Sequence, residues 1–242
     1  MIDYGADMFV LVHGAYHGGW CWEPLVRRLK DRGHDAVAPD LPGHASKDGW
    51  IGQQEMSSYI SAMIEVIDSL DTPPVLVGHS MSGAVAAGVA EQRPDKLEKV
   101  IFLAAYIPAD GESVGDVVKT DPESHVRTGK IDVGGVTAIT LKPGVLADAF
   151  YNDATPRQLA WVEDRIQLQA ARTFREPISL STANFGRVPK AAIVCKKDRA
   201  ISAEHERWMA ERAGCDPIVE LDTGHSPFVT APDLLADTLI GL

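Results

Sequence analysis

Val75-Leu-Val-Gly-His-Ser80-Met-Ser-Gly-Ala84 follows two prolines, Pro73 and Pro74, and runs on through Val85-Ala-Ala-Gly-Val-Ala-Glu-Gln-Arg93 to a stop at Pro94. Val75 to Val77 has the length and β-branching of a buried strand, and the run after Ser80 has the small, helix-forming residues of a buried helix. Ser80 therefore stands at a strand-to-helix junction. Gly-x-Ser at such a junction is the pattern of a nucleophile elbow, a turn so tight that the serine is held at a strained backbone angle and its neighbours must be small. Gly78 meets that need before the serine. After it, Ser82 stands where a glycine is usual and Gly83 comes one position later.

Outward from this stretch the same alternation repeats. Phe9-Val-Leu-Val12 is a buried strand leading into the glycine-rich loop His13-Gly-Ala-Tyr-His-Gly-Gly-Trp20. A helix is expected from Trp22 to Arg32, with Pro24 in its first turn and Gly33 ending it. A short strand follows from Asp35 to Pro39, residues 45–52 read as loop, and Met56 to Leu70 is an amphipathic helix. Lys99 to Ala104 is another strand. From 108 to 187 the alternation is lost; this segment contains a helix at Thr155–Arg165 with threonine as its cap and a hairpin signal at Gly134-Gly135. It reads as an inserted cap, leaving 1–107 and 188–242 as the core. Beyond it come a strand at Ala191–Cys195, a helix at Ala203–Ala213, a strand at Pro217–Leu221 and a closing helix at Pro232–Ile240. Strands alternating with helices imply a parallel sheet covered on both faces, with its chemistry at the carboxyl ends of the strands.

At 242 residues the chain is long enough for a sizeable core, and 45% apolar with 24% charged residues is an ordinary globular balance. The net charge of −11 argues against nucleic acid or an anionic membrane as partner. Cys21, Cys195 and Cys215 form neither a disulfide framework nor a zinc cluster, and each reads as a small core residue. No signal peptide and no bilayer-length apolar run is visible, so a cytosolic address is expected.

A serine hydroxyl needs a base, and the base an orienting carboxylate. His225, in Thr223-Gly-His-Ser-Pro227 beyond the last strand, is the candidate base; the glycine beside it is expected to let the loop swing the ring over the sheet. Asp198, just past the strand that ends at Cys195, is the candidate carboxylate, with Asp110 in reserve. Serine, acid, histidine is the chain order of the hydrolase arrangement. His79 reads as core packing and His13 and His17 as loop-shaping residues; His34, His44, His125 and His205 read as loop or surface. The candidate oxyanion donors are the N–H of Met81, at a helix start, and the N–H of Ala15, with Gly14 allowing close approach. Such acyl transfer needs no metal or organic cofactor. Tyr16, Met81, Phe150, Trp161 and Phe228 are candidates to line an apolar pocket, with core packing as the competing role.

Phe9 to Trp22, Gly33-His34, Ala38 to Gly43, Gly78 to Gly83, Val100 to Pro108 and Val194 to Ser202 resemble the α/β-hydrolase fold, and more narrowly the plant methylesterase and hydroxynitrile lyase family with its bacterial esterase relatives. The resemblance spans nearly all of the core and fades in the cap, where it implies a largely helical insertion. It implies a six-stranded, mainly parallel sheet lacking the usual N-terminal hairpin, and it carries the triad roles to Ser80, Asp198 and His225 and the oxyanion hole to Ala15 and Met81. It makes homodimers an option, since members often form them. Lyases of the family carry threonine where Gly14 stands and lysine directly after the catalytic histidine, where this chain has Ser226. The expected function is therefore a serine carboxylesterase acting on a small to medium apolar or aromatic ester. A hydroxynitrile lyase and a hydrolase-derived ligand-binding receptor are the alternatives.

Overall fold

The computed structural model describes residues 7–44 and 52–242; the loop expected at 45–52 lies almost wholly outside them. Six strands form one sheet in the spatial order β2-β1-β3-β4-β8-β9, every pair parallel. In chain order the elements are β1 (Met8–Val12), α1 (Glu23–Asp31), β2 (Asp35–Val37), α2 (Met56–Asp68), β3 (Val75–Ser80), α3 (Ser82–Gln92) and β4 (Lys99–Ala105). The segment 108–187 holds α4 (Val114–Val118), β5 (Thr128–Val133), β6 (Val136–Leu141), a single π-turn at Leu146–Phe150, α5 (Pro156–Glu163) and β7 (Gln169–Ala170). Then follow β8 (Lys190–Cys195), α6 (Ala203–Arg212), β9 (Ile218–Leu221), α7 (Pro227–Thr230) and α8 (Pro232–Gly241).

Parallel neighbours require crossovers, and the helices that make them cover the sheet, so the central strands are apolar throughout: β3 is buried at all six positions and β4 at all but Lys99. Helix α3 is buried from Ser82 to Ala90. A helix enclosed on every side must be built from small residues, and Gly88 shows how tight the fit is: a Cβ there would lie 2.3 Å from Ile60 Cδ1 of α2. Helix α2 presents Met56, Tyr59, Ile60, Met63, Ile64 and Ile67 to the core as one stripe. Each such fully buried side chain contributes roughly 1.5–3 kcal/mol of transfer free energy.

The 108–187 segment is not purely helical. The glycine pair expected to turn does so, with φ of +60° at Gly134 and +84° at Gly135, and β5, β6 and β7 make a three-stranded antiparallel sheet beside the helices. Thr155 caps α5 as expected, its hydroxyl accepting from Gln158 N while the Gln158 side chain accepts from Thr155 N. No helix among the described residues is long and apolar enough to cross a membrane.

Candidate active site

The carboxyl ends of β8 and β9 bring Asp198 and His225 together, and the loop after β1 meets Ser80 at the end of β3. Ser80 closes β3 with φ of +54°, in the left-handed region that serine rarely adopts, and the β3–β4 register shifts at this point. Its surroundings leave no room for larger neighbours. A Cβ on Gly78 would lie 2.5 Å from Ser82 O, and one on Gly83 would lie 2.2 Å from Tyr106 O. The glycine displaced by one position is thus required by the backbone at the end of β4 and just beyond it, while Ser82 turns its hydroxyl to His13 O at 2.5 Å and ties the elbow to the β1 loop. A Cβ on Gly14 would meet Ser80 Cβ at 2.8 Å and His79 Nδ1 at 3.0 Å, so the β1 loop touches the serine only because residue 14 has no side chain.

His225 Nδ1 lies 2.6 Å from Asp198 Oδ2, and both side chains are wholly buried. Asp198 Oδ1 accepts from Ala200 N at 2.6 Å and Ile201 N at 3.0 Å, so the carboxylate is fixed by the turn that follows β8. With Nδ1 committed to Asp198, the ring presents Nε2, which is buried and has no hydrogen-bond partner among the described residues. His79 stands beside this ring, 4.6 Å between centroids, with its Nε2 3.0 Å from His225 O. It packs, as expected, but it also holds the backbone of the other histidine. Asp110, the reserve acid, accepts from Leu180 N on the exposed surface and stays out of the site.

The β1 loop is braced by two more histidines. His13 Nε2 accepts from Leu41 N, which places its proton on Nδ1, and Nδ1 donates to Gly14 O at 2.9 Å. Gly14 O and Ala15 N belong to one peptide unit, so this bond sets the plane of the Ala15 N–H. His17 Nδ1 donates to Ala15 O at 2.8 Å and leaves Nε2 to accept from Tyr151 Oη at 2.7 Å. Burial is the first cause of the low pKa of all three, His13 and His79 well below the usual histidine value and His17 at about 4, so they stay neutral.

Of the expected pocket residues, Tyr16 is buried with φ of +69° and meets the Phe150 ring edge-on at 6.0 Å; Phe150 in turn stands edge-on to His225 at 5.2 Å. Met81 is fully buried, with Sδ 3.8 Å from Thr173 Oγ1. Phe228 requires a correction: it is fully buried between Trp22 and His79, at 4.5 and 4.8 Å, and serves as packing behind the histidines. Trp161 meets Trp20 at 5.2 Å, and Trp20 in turn stacks on His17 at 5.6 Å. His205 differs from expectation, since it lies buried in α6 and stacks on Trp208; His44 is in a loop as expected but is buried there, bonding Tyr59 Oη and packing on His13.

The cap contributes more than sequence reading had found. Four consecutive residues each grip a different part of the site. Phe150 covers His225, Tyr151 bonds His17, Asn152 donates to Lys197 O at 3.0 Å, and Asp153 accepts from Gly224 N at 2.7 Å. Gly224 is small for this reason rather than for backbone freedom, since a Cβ there would lie 2.4 Å from Asn152 Oδ1.

The profile described as "Alpha/beta hydrolase family" matches residues 9–238. The chain is 30% identical to Methylesterase 2 of Arabidopsis thaliana over 97% of its own length and 95% of that protein's. It is 29% identical to Salicylic acid-binding protein 2 of Nicotiana tabacum, over 96% and 95% of the two chains. Among solved structures it is similar to polyneuridine aldehyde esterase (TM-score 0.87, 22% identity, 98% and 99% covered) and to a pyrethroid hydrolase from Sphingobium faniae (TM-score 0.83, 23% identity, 98% and 97% covered).

Proposed function

The chain belongs to the alpha/beta hydrolase family, and from that premise we propose that it is a serine carboxylesterase whose nucleophile is Ser80, base His225 and orienting carboxylate Asp198. The observation that carries this reading is the Asp198–His225 pair at 2.6 Å, with the imidazole Nε2 buried and unpartnered among the described residues and Ser80 held at positive φ at the end of β3. Ser80 Oγ attacks the ester carbonyl carbon while His225 Nε2 takes the hydroxyl proton. The imidazolium, stabilised by Asp198, gives that proton to the leaving alkoxide, and an acyl-serine remains. Water then attacks the acyl carbon, again losing its proton to His225, and the acid departs. The N–H groups of Ala15 and Met81 receive the oxyanion; each such donor is worth roughly 3 kcal/mol of barrier.

Substrate class follows from what surrounds this chemistry. Tyr16, Phe150 and Met81 are apolar and buried, which suits an ester with an apolar or aromatic acyl part. The methylesterase relative supports a small alcohol on the other side. A lyase reading fits poorly, because the steric room at Gly14 is taken by Ser80 and position 226 is serine. The three cysteines are buried and unpaired, which suits a reducing, cytosolic compartment.

Release of a chromogenic alcohol from a small aryl ester tests the proposal. Wild type is expected to turn over many times and Ser80→Ala to lose at least about 10³-fold in kcat. An organophosphate should modify Ser80 and block turnover; modification elsewhere, or equal turnover in the variant, would reject the assignment.

A further inference from the structure

Glu206 is a carboxylate where none is expected. It lies on α6 on the same face as Met209 and Ala210 and is 3% exposed. Its Oε2 accepts from Cys195 N at 3.1 Å, while Oε1 is buried with no donor among the described residues. Cys195, which Glu206 binds through its N–H, also accepts from Asp198 N at 3.0 Å through its carbonyl, so the Glu206 and Asp198 carboxyls are neighbours at the same buried turn. Two carboxylates in contact in a dry site do not both carry charge; one proton is shared between them. The neighbours decide where it sits. Asp198 receives three donors, Ala200 N, Ile201 N and His225 Nδ1, whereas Glu206 receives one. The charge belongs on the better-served group.

We infer that Glu206 is a positioning residue for the Asp198–His225 pair: its carboxyl keeps its proton and donates it in a hydrogen bond to Asp198. It deepens the esterase reading and rests on the role given there to Asp198. The groups that face Glu206 are Asp198 and Asp121, both acidic, with the Cys195 thiol and the Tyr106 phenol, both neutral. Burial first, and Asp198 second, hold the Glu206 carboxyl well above the usual range. A neutral donor fixes the rotation of the Asp198 carboxylate without adding a second negative charge beside it, which leaves the full Asp198 charge to orient the imidazole and stabilise its protonated form.

Glu206→Gln keeps a donor and an acceptor in the same place; Glu206→Leu keeps neither. The infrared difference spectrum of wild type minus Glu206→Gln at neutral pH should contain a protonated-carboxyl C=O band. Glu206→Gln should hold kcat within about twofold, while Glu206→Leu should lose about tenfold or more in kcat with KM little changed. Stability supplies an independent arm. An unfolded glutamate loses its proton near pH 4.3 and the folded one retains it, so wild type loses stability as pH rises above that value, while the glutamine variant does not titrate. The melting-temperature advantage of Glu206→Gln should therefore grow from about pH 5 to about pH 8. Absence of the band, or a difference in melting temperature that ignores pH, overturns the inference whether or not the chain cleaves esters. A band without esterase activity would sink the catalytic reading and leave the protonated Glu206 in place.

Discussion

At the scale of single residues, the site depends on side chains that are absent as much as on those present. Gly14 lets the β1 loop rest on Ser80, and a methyl group there would lie 2.8 Å from Ser80 Cβ. Gly14→Ala is thus expected to displace the nucleophile or the Ala15 N–H. Misplacement on the order of 1 Å costs about 10²-fold in rate, while overpacking costs stability by roughly 1–3 kcal/mol. Steady-state kinetics beside a thermal melt will separate the two. A variant that folds and turns over like wild type would show that the loop tolerates the added group. His13 is the complementary case, a side chain that acts through one carbonyl. By donating to Gly14 O it fixes the plane of the peptide that carries the Ala15 N–H.

At the scale of elements, the turn 150–153 is the fastener between insertion and core. Asp198 and His225 sit on separate loops after β8 and β9, and Asn152 and Asp153 grip one loop each, through Lys197 O and Gly224 N. Because an unpaired backbone donor in a packed place costs about 1–3 kcal/mol, Asp153→Ala should loosen the His225 loop. A fall of about tenfold in kcat/KM is expected, with Asp153→Asn, which still accepts from Gly224 N, retaining most of the rate. Equal rates in Asp153→Ala and wild type would show that the loop holds its shape without the cap.

At the scale of the whole molecule, burial of neutral histidines sets the response to acid. His13, His17, His44 and His79 all have lowered pKa values, with burial as the first cause. Unfolded, each binds a proton below about pH 6.5; folded, His17 refuses one until about pH 4. The unfolded chain therefore holds more protons, and stability falls as pH drops through this window. Glu206 works in the opposite direction by about one proton. Unfolding near pH 5 should take up about two to three protons, equivalent to roughly 3 kcal/mol per pH unit. Urea denaturation midpoints measured from about pH 4 to 8 will give that slope; a flat profile would mean that these histidines are charged in the fold.

Local pattern decided the order of strands and helices, because apolar runs of strand length, amphipathic stripes and proline or glycine stops act over a few residues, and it decided the Ser80 elbow for the same reason. The chain order of Ser80, Asp198 and His225 was legible because each follows a strand of a parallel sheet whose carboxyl ends lie together. What sequence left open depended on contacts between distant segments: Gly83 answering to Tyr106 O, Gly224 to Asn152, Phe228 to Trp22 and His79, Asp153 to the His225 loop. Glu206 carried one faint sign, a charge sharing a helix face with Met209 and Ala210, but only the packing of α6 on β8 put it against Asp198. Periodicity tells which side of an element turns inward. It does not tell what that side will meet, because the meeting is fixed by the joint packing of every other element.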